Sequence, residues 1–336
     1  MRLRLATLLL VLAAGALAQP ATPAPYADRA EVRGFIRDMV ERHGFVEAEL
    51  LTLFSRLTRV DPVLQAIATP AEVLRWPDYR ALLINQRRID GGVAYWKAHQ
   101  KALTRAERAY GVPPQIIVAI IGIETSYGRN PGKWRVVEAL STLAFDYPPR
   151  ASYFRGELEQ FLLLASEEKL DIATIQGSYA GAMGGGQFMP SSYRAYAVDG
   201  DGDERRDLWG SWDDVIASVA NYLAKHGWRA GEPVVVPASV WFPKADGLVA
   251  GKLAPDSTVK ALRDRGLAFD TTQGDKAPAL FIRVDGETEP ELRAGFHNFG
   301  VITRYNRSIL YALAVNDLGL RIESLLPPAA PAAAAP

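Results

Sequence analysis

The chain has 336 residues, 49% of them hydrophobic and 23% charged, with 38 Lys and Arg set against 38 Asp and Glu. That even balance leaves no electrostatic footprint for nucleic acid, and the apolar fraction suffices for one large or two to three small cores. Cysteine is absent from the sequence, which excludes disulfides, thiolate catalysis, zinc–cysteine sites and a lipid-bearing cysteine.

Residues 1–18, MRLRLATLLLVLAAGALA, join Arg2 and Arg4 to an apolar stretch shorter than the roughly 20 residues of a membrane span and end in Ala16-Leu17-Ala18. This pattern predicts a secretory signal cut after Ala18. Loss of the two arginines would leave 36 basic against 38 acidic residues in an exported, periplasmic, soluble chain. QPATPAPYA (19–27) is predicted to be a linker and the Pro/Ala-rich end (325–336) a disordered tail, since neither composition builds a core.

From residue 28 to 112 apolar positions recur at helical spacing, as in Val32, Phe35, Ile36, Met39 and Val40, with Gly44 and Gly111 placed as C-terminal caps. This is a predicted helical domain. Residues 113–228 continue as helices, interrupted by a glycine-rich stretch (177–187) and an aspartate-rich one (199–207). Residues 229–290 change character: PVVVPASVWF and ALFIRVDG are short β-type runs between Gly, Pro and Asp turns, predicting a small β-rich domain. Residues 291–324 return to the core, with a last helix expected over Tyr305 to Leu320. The fold class expected is mainly α with a small β insertion; no repeat and no βα alternation is present.

The stretch QIIVAIIGIETSYG carries the first chemical signal. Pro113 and Pro114 suit the first turn of a helix, where a missing amide donor costs nothing. Ile116, Ile117, Val118, Ile120, Ile121 and Ile123 leave almost no polar face, so this helix should be buried on all sides. Glu124 stands at its C-terminal end, where unpaired carbonyls carry partial negative charge. Burial and the dipole both favour the protonated acid, the form a general acid requires. Against this stands a glutamate that emerges into solvent or pairs with Arg129.

GSYAGAMGGGQFMPSSY, residues 177–193, is the second signal. Its five glycines at 177, 181, 184, 185 and 186 allow close backbone approach to a ligand, while Ser178, Gln187 and Tyr193 offer hydrogen bonds. It is not a dinucleotide fingerprint, lacking both a preceding strand and the GxGxxG spacing. Tyr147, Tyr153, Phe154, Tyr179, Phe188, Tyr196, Trp209, Trp212 and Tyr222 cluster around it in sequence. Such rings suit sugar stacking, and equally a core.

IGIETSYG, ALSTLAFDYPPRASYFRGE, GSYAGAMGGGQFMPSSY, SVANYLAKHGW and RYNRSILYALAV, in this order, closely resemble the lytic murein transglycosylase B family of peptidoglycan-cleaving enzymes. The resemblance runs from about Asp28 to Leu320. It implies a lysozyme-like core at 113–228, Glu124 as a single acid/base, and substrate contacts from Ser178, Gln187, Tyr153, Tyr222, Tyr305, Asn306 and Tyr311. It further implies cleavage of the bond between N-acetylmuramic acid and N-acetylglucosamine with closure of a 1,6-anhydro ring. No cofactor is implied for catalysis; peptidoglycan strands are the implied partner, with cell-wall synthesis proteins as a further partner class. Well-known members are membrane lipoproteins, whereas this sequence has no cysteine to carry the lipid. Two other readings stay open: a muramidase that hydrolyses the same bond, and a catalytically silent peptidoglycan-binding protein.

DGDGDERRDLWGSWDD, residues 199–214, places Asp199, Asp201, Asp203 and Asp207 at positions 1, 3, 5 and 9 of a loop, with the carbonyl of Arg205 at position 7. That is the oxygen spacing of an EF-hand calcium loop. It departs at Glu204, where glycine is usual, and at Gly210, where glutamate is usual; Asp214 or Asp213 would supply the closing carboxylate. A structural calcium ion is the expectation, against an ion-free Asp/Gly turn.

Overall fold

The computed structural model describes residues 25–68, 74–240 and 251–327. The predicted signal, most of the predicted linker, Trp241 and Phe242 of the first β-type run, and residues 328–336 of the expected tail lie outside the described residues. The chain divides into two compact units, Met1–Thr58 and Arg59–Pro336, so the helical segment expected over 28–112 crosses the division.

In the first unit a 3-10 turn (Tyr26–Asp28) precedes α1 (Ala30–His43) and α2 (Glu47–Arg56). Val32, Phe35, Ile36 and Met39 are buried at helical spacing, and Phe35 meets Phe54 edge-on at 6.0 Å. Gly44 closes α1 with φ of 72°, the left-handed cap the sequence indicated. Tyr26 corrects the end of the predicted linker. Its ring is 1% exposed and carries the Arg29 guanidinium 4.3 Å above it, so residues 26–27 belong to the packed unit.

The second unit opens with α3 (Asp61–Ala68), α4 (Trp76–Leu83), α5 (Gln86–Ala98) and α6 (Gln100–Tyr110). The hub is α7 (Pro114–Thr125), capped by Pro113 at its start and by Ser126 in the left-handed region at its end. Ile116, Ile117, Val118, Ile120 and Ile121 are each 4% exposed or less because α5, α6 and two later helices surround them. Each such side chain contributes about 1.5–3 kcal/mol of burial. The apolar composition of α7 thus reflects a central position and not a membrane; among the described residues no helix is long and apolar enough to cross one.

Strand β1 (Trp134–Arg135) pairs antiparallel with β2 (Gln176–Gly177), pinning the start of the glycine-rich segment, and between them run α8 (Val136–Asp146) and α9 (Ala151–Glu167). After α10 (Pro190–Tyr196) and the aspartate loop, α11 (Trp212–Lys225) packs on α6 and α7. The β region then forms one antiparallel sheet from β3 (Val235–Val240), β4 (Ser257–Thr258), β5 (Leu267–Ala268), β6 (Pro278–Val284) and β7 (Glu291–Phe296), in the order β4-β6-β7-β3-β5. A short helix, α12 (Val259–Asp264), covers it, and Val259, Leu262, Leu267, Phe281 and Phe296 share its core.

Two elements depart from the sequence expectation. ELRAGF, placed with the returning core, is the strand β7, because β3 and β6 flank it on both sides and supply its hydrogen bonds. The last helix, expected over Tyr305 to Leu320, starts later: Tyr305 ends α13 (His297–Tyr305), Asn306 turns extended, and α14 (Ile309–Glu323) begins where Ser308 accepts the Tyr311 amide as N-cap. Strand and helix are riveted by Arg293, which donates to Asp317 at 2.6 and 2.8 Å and to Glu291 at 2.9 Å with its side chain 13% exposed. Replacement of Asp317 by Ala leaves this guanidinium half-compensated, and urea denaturation is expected to show a loss of about 3 kcal/mol.

Candidate active site

Glu124 sits in the last turn of α7, as a half-buried residue whose carboxyl Oε1 accepts the Tyr311 hydroxyl at 2.6 Å. Tyr311 lies in the first turn of α14 and is 2% exposed, so the hydrogen bond is sheltered from water. Burial pushes the Glu124 carboxyl up to about 7, and the Tyr311 hydrogen bond, which favours the anion, opposes part of that rise. The Glu124 charge in turn helps burial hold the Tyr305 and Tyr311 phenols well above their ordinary range. Three groups that disfavour charge therefore share one recess. The alternative pairing does not form: Arg129 is exposed, and Tyr311 is the hydrogen-bond partner Glu124 has.

The helix dipole plays a smaller part than the sequence suggested. Arg88, from the first turn of α5, donates through Nε to the Gly122 carbonyl at 2.9 Å and so supplies positive charge where the last turn is negative. Burial is left as the dominant cause.

The backbone just past Glu124 is strained. Ser126 and Tyr127 have φ of 51° and 62°, a region that costs an L residue roughly 1–2 kcal/mol each. The turn persists because the fold holds Tyr127: its hydroxyl donates to the Arg88 carbonyl at 2.9 Å, its ring stacks on Tyr95 at 5.4 Å, and Gly122 makes room for it. A Cβ at Gly122 would stand 2.5 Å from the Tyr127 hydroxyl.

Thr125 attaches the glycine-rich segment. Its hydroxyl donates to the Gly185 carbonyl at 2.9 Å, and Tyr305 donates to the adjoining Gly186 carbonyl at 2.5 Å, so residues 185–187 are drawn against the end of α7. The expectation that these glycines admit a ligand needs correction. At Gly184 an added Cβ would lie 2.5 Å from the Leu208 carbonyl and at Gly185 2.7 Å from Trp212, so both make room for the protein itself. Ser178 Oγ accepts from the Ala180 and Ala182 amides at 3.2 and 3.0 Å, which leaves its hydroxyl hydrogen to donate. Gln187, at φ of 52°, donates to the Pro131 and Gly184 carbonyls at 3.0 and 3.1 Å and keeps Oε1 as acceptor. Tyr193 is fully buried, bonded to the Arg206 carbonyl and tilted against Trp209, away from any role toward a ligand.

Aromatic rings make the adjoining wall. Tyr222 of α11 meets Tyr305 at 4.8 Å and Phe188 at 5.8 Å, stacks on His226 at 4.1 Å, and donates to the Arg304 carbonyl at 2.7 Å. Burial, first, pushes its phenol up to about 12. Tyr153 is 42% exposed, interacts electrostatically with Tyr222, and carries Arg150 over its ring at 4.4 Å. Asn306 is half-buried at the bend between α13 and α14, where its carbonyl accepts the Ser308 amide at 2.8 Å. Sequence reasoning missed Thr125, Arg88, Arg150 and Tyr79, whose phenol interacts with that of Tyr311. Thr125 and Arg150 stand inside quoted motifs, Thr125 beside Glu124; Arg88 and Tyr79 carry no local signal.

Among the described residues, no other carboxylate contributes to the rise at Glu124, whose causes are burial and, against it, the Tyr311 hydrogen bond. Glu138 is paired with Arg135, and Glu157 accepts the Ser191 amide and hydroxyl at 3.0 and 2.7 Å, capping α10.

In the aspartate loop, oxygens of Asp199, Asp201 and Asp214 lie within 4.8 Å of one another. Asp214 is 0% exposed, and burial raises its pKa with Asp201 adding to the rise, so this carboxylate group would be relieved by a cation. Asp203 and Asp207 stand outside that group: Asp203 accepts the Arg205 amide, and Asp207 accepts those of Trp209 and Gly210. Arg205 is exposed. Asp213 is bound to Arg105 at 2.8 Å, which leaves Asp214 as the closing carboxylate of the two considered.

The family described as transglycosylase SLT domain matches residues 27–320, and the chain belongs to it. The membrane-bound lytic murein transglycosylase B of Escherichia coli (strain K12) is 42% identical over 304 residues, covering 88% of this chain and 83% of that one. The E. coli lytic transglycosylase SLT35 in complex with calcium superposes with a TM-score of 0.81 at 43% identity, over 89% of this chain and 93% of the other. SltB3 from Pseudomonas aeruginosa in complex with NAG-NAM-pentapeptide does so at 0.79 with 28% identity, over 87% and 79%. The mainly helical, lysozyme-like fold is thereby shown.

Glu124 has a consequence for stability. Its folded pKa is raised, so the folded state binds the proton more tightly than the unfolded chain, and the burial penalty appears as pH rises from about 4.5 through about 7. Glu124→Gln is therefore expected to gain stability relative to the wild type between pH 4 and pH 8, by on the order of 3 kcal/mol at the upper end, read from paired thermal melts.

Proposed function

We propose that this chain is a peptidoglycan lytic transglycosylase with Glu124 as its single acid and base. The observation that carries the reading is a carboxyl raised to about 7, bonded to a buried tyrosine beside an aromatic wall, with no other carboxylate among the described residues acting on it. A two-carboxylate glycosidase needs its second acid roughly 5 to 10 Å away.

In the proposed reaction, protonated Glu124 donates to the bridging oxygen between N-acetylmuramic acid and N-acetylglucosamine. The N-acetyl oxygen of the muramic sugar attacks the anomeric carbon in place of a protein nucleophile. Ionised Glu124, steadied by the Tyr311 hydroxyl, then removes the proton of the C6 hydroxyl, whose oxygen attacks the anomeric carbon and displaces the N-acetyl oxygen from it, closing the 1,6-anhydro ring and restoring the N-acetyl group and the protonated acid. The attacking hydroxyl is already attached, so proximity favours it over water. Ser178, Gln187, Tyr153, Tyr222, Tyr305 and Asn306 line the path of the glycan in this reading. The NAG-NAM-pentapeptide bound by the Pseudomonas relative supports that class of substrate. Export through residues 1–18 to the periplasm suits a wall substrate, and wall-synthesis proteins are natural partners there.

Calcium is proposed for the aspartate loop, held by Asp199, Asp201 and Asp214, with a structural role. The calcium complex of the E. coli relative and the crowding of these three carboxylates support it.

Mass spectrometry of products from purified murein is expected to show anhydro ends; reducing ends would favour the muramidase. Glu124→Gln should lower turnover at least a thousandfold while retaining glycan binding, and full activity in that variant would end the proposal. Because the free enzyme must enter protonated, wild-type kcat/KM should fall above about pH 7, and Tyr311→Phe should move that limb to higher pH. Added calcium should raise the melting temperature and chelator lower it; a melt indifferent to both removes the ion.

A further inference from the structure

Trp212, the first residue of α11, touches both the turn past Glu124 and the glycine-rich segment. A Cβ added at Gly128 would stand 2.6 and 2.8 Å from its Cζ2 and Cη2, and one added at Gly185 would stand 2.7 Å from its Cζ3. The six-membered ring of one indole therefore packs directly on both backbones. Thr125 joins the same two glycines: its hydroxyl accepts the Gly128 amide at 3.0 Å and donates to the Gly185 carbonyl at 2.9 Å. Ring and hydroxyl close a circuit of contacts beside Glu124.

A second route runs through Tyr95, whose ring meets Trp212 edge-on at 5.2 Å and stacks on Tyr127 at 5.4 Å. Ser126, Tyr127 and Gly128 stand in succession at φ of 51°, 62° and 81°. Left-handed residues persist in a row where their surroundings over-determine them. Trp212 is itself fixed at both of its chain neighbours: Ser211 donates to Asp201 at 2.9 Å, and Asp213 is bound to Arg105 at 2.8 Å.

We infer that Trp212 is a positioning residue of the reaction, its ring setting the gap between the end of α7, with Glu124, and the segment that carries Gln187. The inference rests on the reading of Glu124 as the acid. A shorter side chain would let the turn relax into the vacated space and admit water to the carboxyl, whose burial is the first cause of its raised pKa. The titratable groups acting with Glu124 are the phenols of Tyr311 and Tyr305, both held well above their ordinary range, while Arg88 and Arg129 act on the Tyr127 phenol. His99, tilted against Trp212 at 5.9 Å, has its pKa lowered by burial. The phenols thus ionise above the Glu124 limb and the imidazole below it.

Trp212→Leu is expected to lower kcat on purified murein by on the order of a hundredfold, and Trp212→Phe, which keeps a ring at the position, by about tenfold or less. The alkaline limb of kcat/KM should move to lower pH in Trp212→Leu, the opposite sense to Tyr311→Phe. Paired melts supply a readout free of activity: the pH-dependent stability gained by Glu124→Gln should shrink in the Trp212→Leu background. An unmoved limb and an undiminished gain, with only a lower melting temperature, would make Trp212 an ordinary packing residue and overturn the inference. Should Trp212→Leu not fold, Gly185→Ala decides. Its methyl crowds the indole, so kcat should fall, and adding Trp212→Phe should restore part of the loss by making room; losses that simply multiply would overturn the positioning role. Failure of the wild type to cleave murein would strike the reading of Glu124 instead, and the paired melts would still judge the ring.

Discussion

The hydrogen bond between Tyr311 and Glu124 joins the two helices on which the rest of the site depends. Its donor begins α14 and its acceptor ends α7, two helices packed on one another, and burial of the carboxyl is the first cause of its raised pKa. A carboxyl in that position loses most of its hydration in either protonation state. Desolvation penalises the anion more, and a single phenolic donor recovers part of the difference. The result is an acid balanced close to neutrality, which one group must be if it is to give a proton and take one back in the same cycle. Replacing the recess by open solvent would return the carboxyl to its ordinary range and remove half of that capacity.

Much of this was legible in the sequence because the signals were local. Continuous apolar residues over 116–123 announced a central helix, and Glu124 stood out against them; Gly44 and Gly111 marked helix ends that the structure confirms with left-handed caps. What stayed hidden depended on residues distant in the chain. Arg88 reaches Gly122 across 34 positions, and no periodicity announces it. The strand β7 contains a glycine and two charged residues, and becomes a strand because β3 and β6 hold it from either side. The late start of α14 was hidden because Tyr305 and the apolar residues from Ile309 on read as one helix until Ser308 is seen to cap it.

The glycine-rich segment shows how a correct location can carry an incomplete reason. Composition alone suggested backbone opened for a ligand. The structure assigns Gly184 and Gly185 to contacts with Leu208 and Trp212, so that the segment is pressed onto the aspartate loop and α11. Neighbouring Ser178 and Gln187 then spend part of their hydrogen-bonding capacity on the loop and retain one polar function each. Such partly occupied groups are held in fixed orientation, and a ligand that used them would find less entropy to remove.

Strand β7 runs straight into α13 with Phe296 and His297 adjacent, and Arg293 on that strand grips Asp317 on α14. The bend that presents Tyr305, Asn306 and Tyr311 is thus strung between two anchorages on one scaffold, in the manner of a bracket bolted at both ends. Because Phe296 shares its core with Leu267 of β5 and Phe281 of β6, loosening of the sheet interior would be passed to one end of the bracket, while the Arg293–Asp317 bolt holds the other.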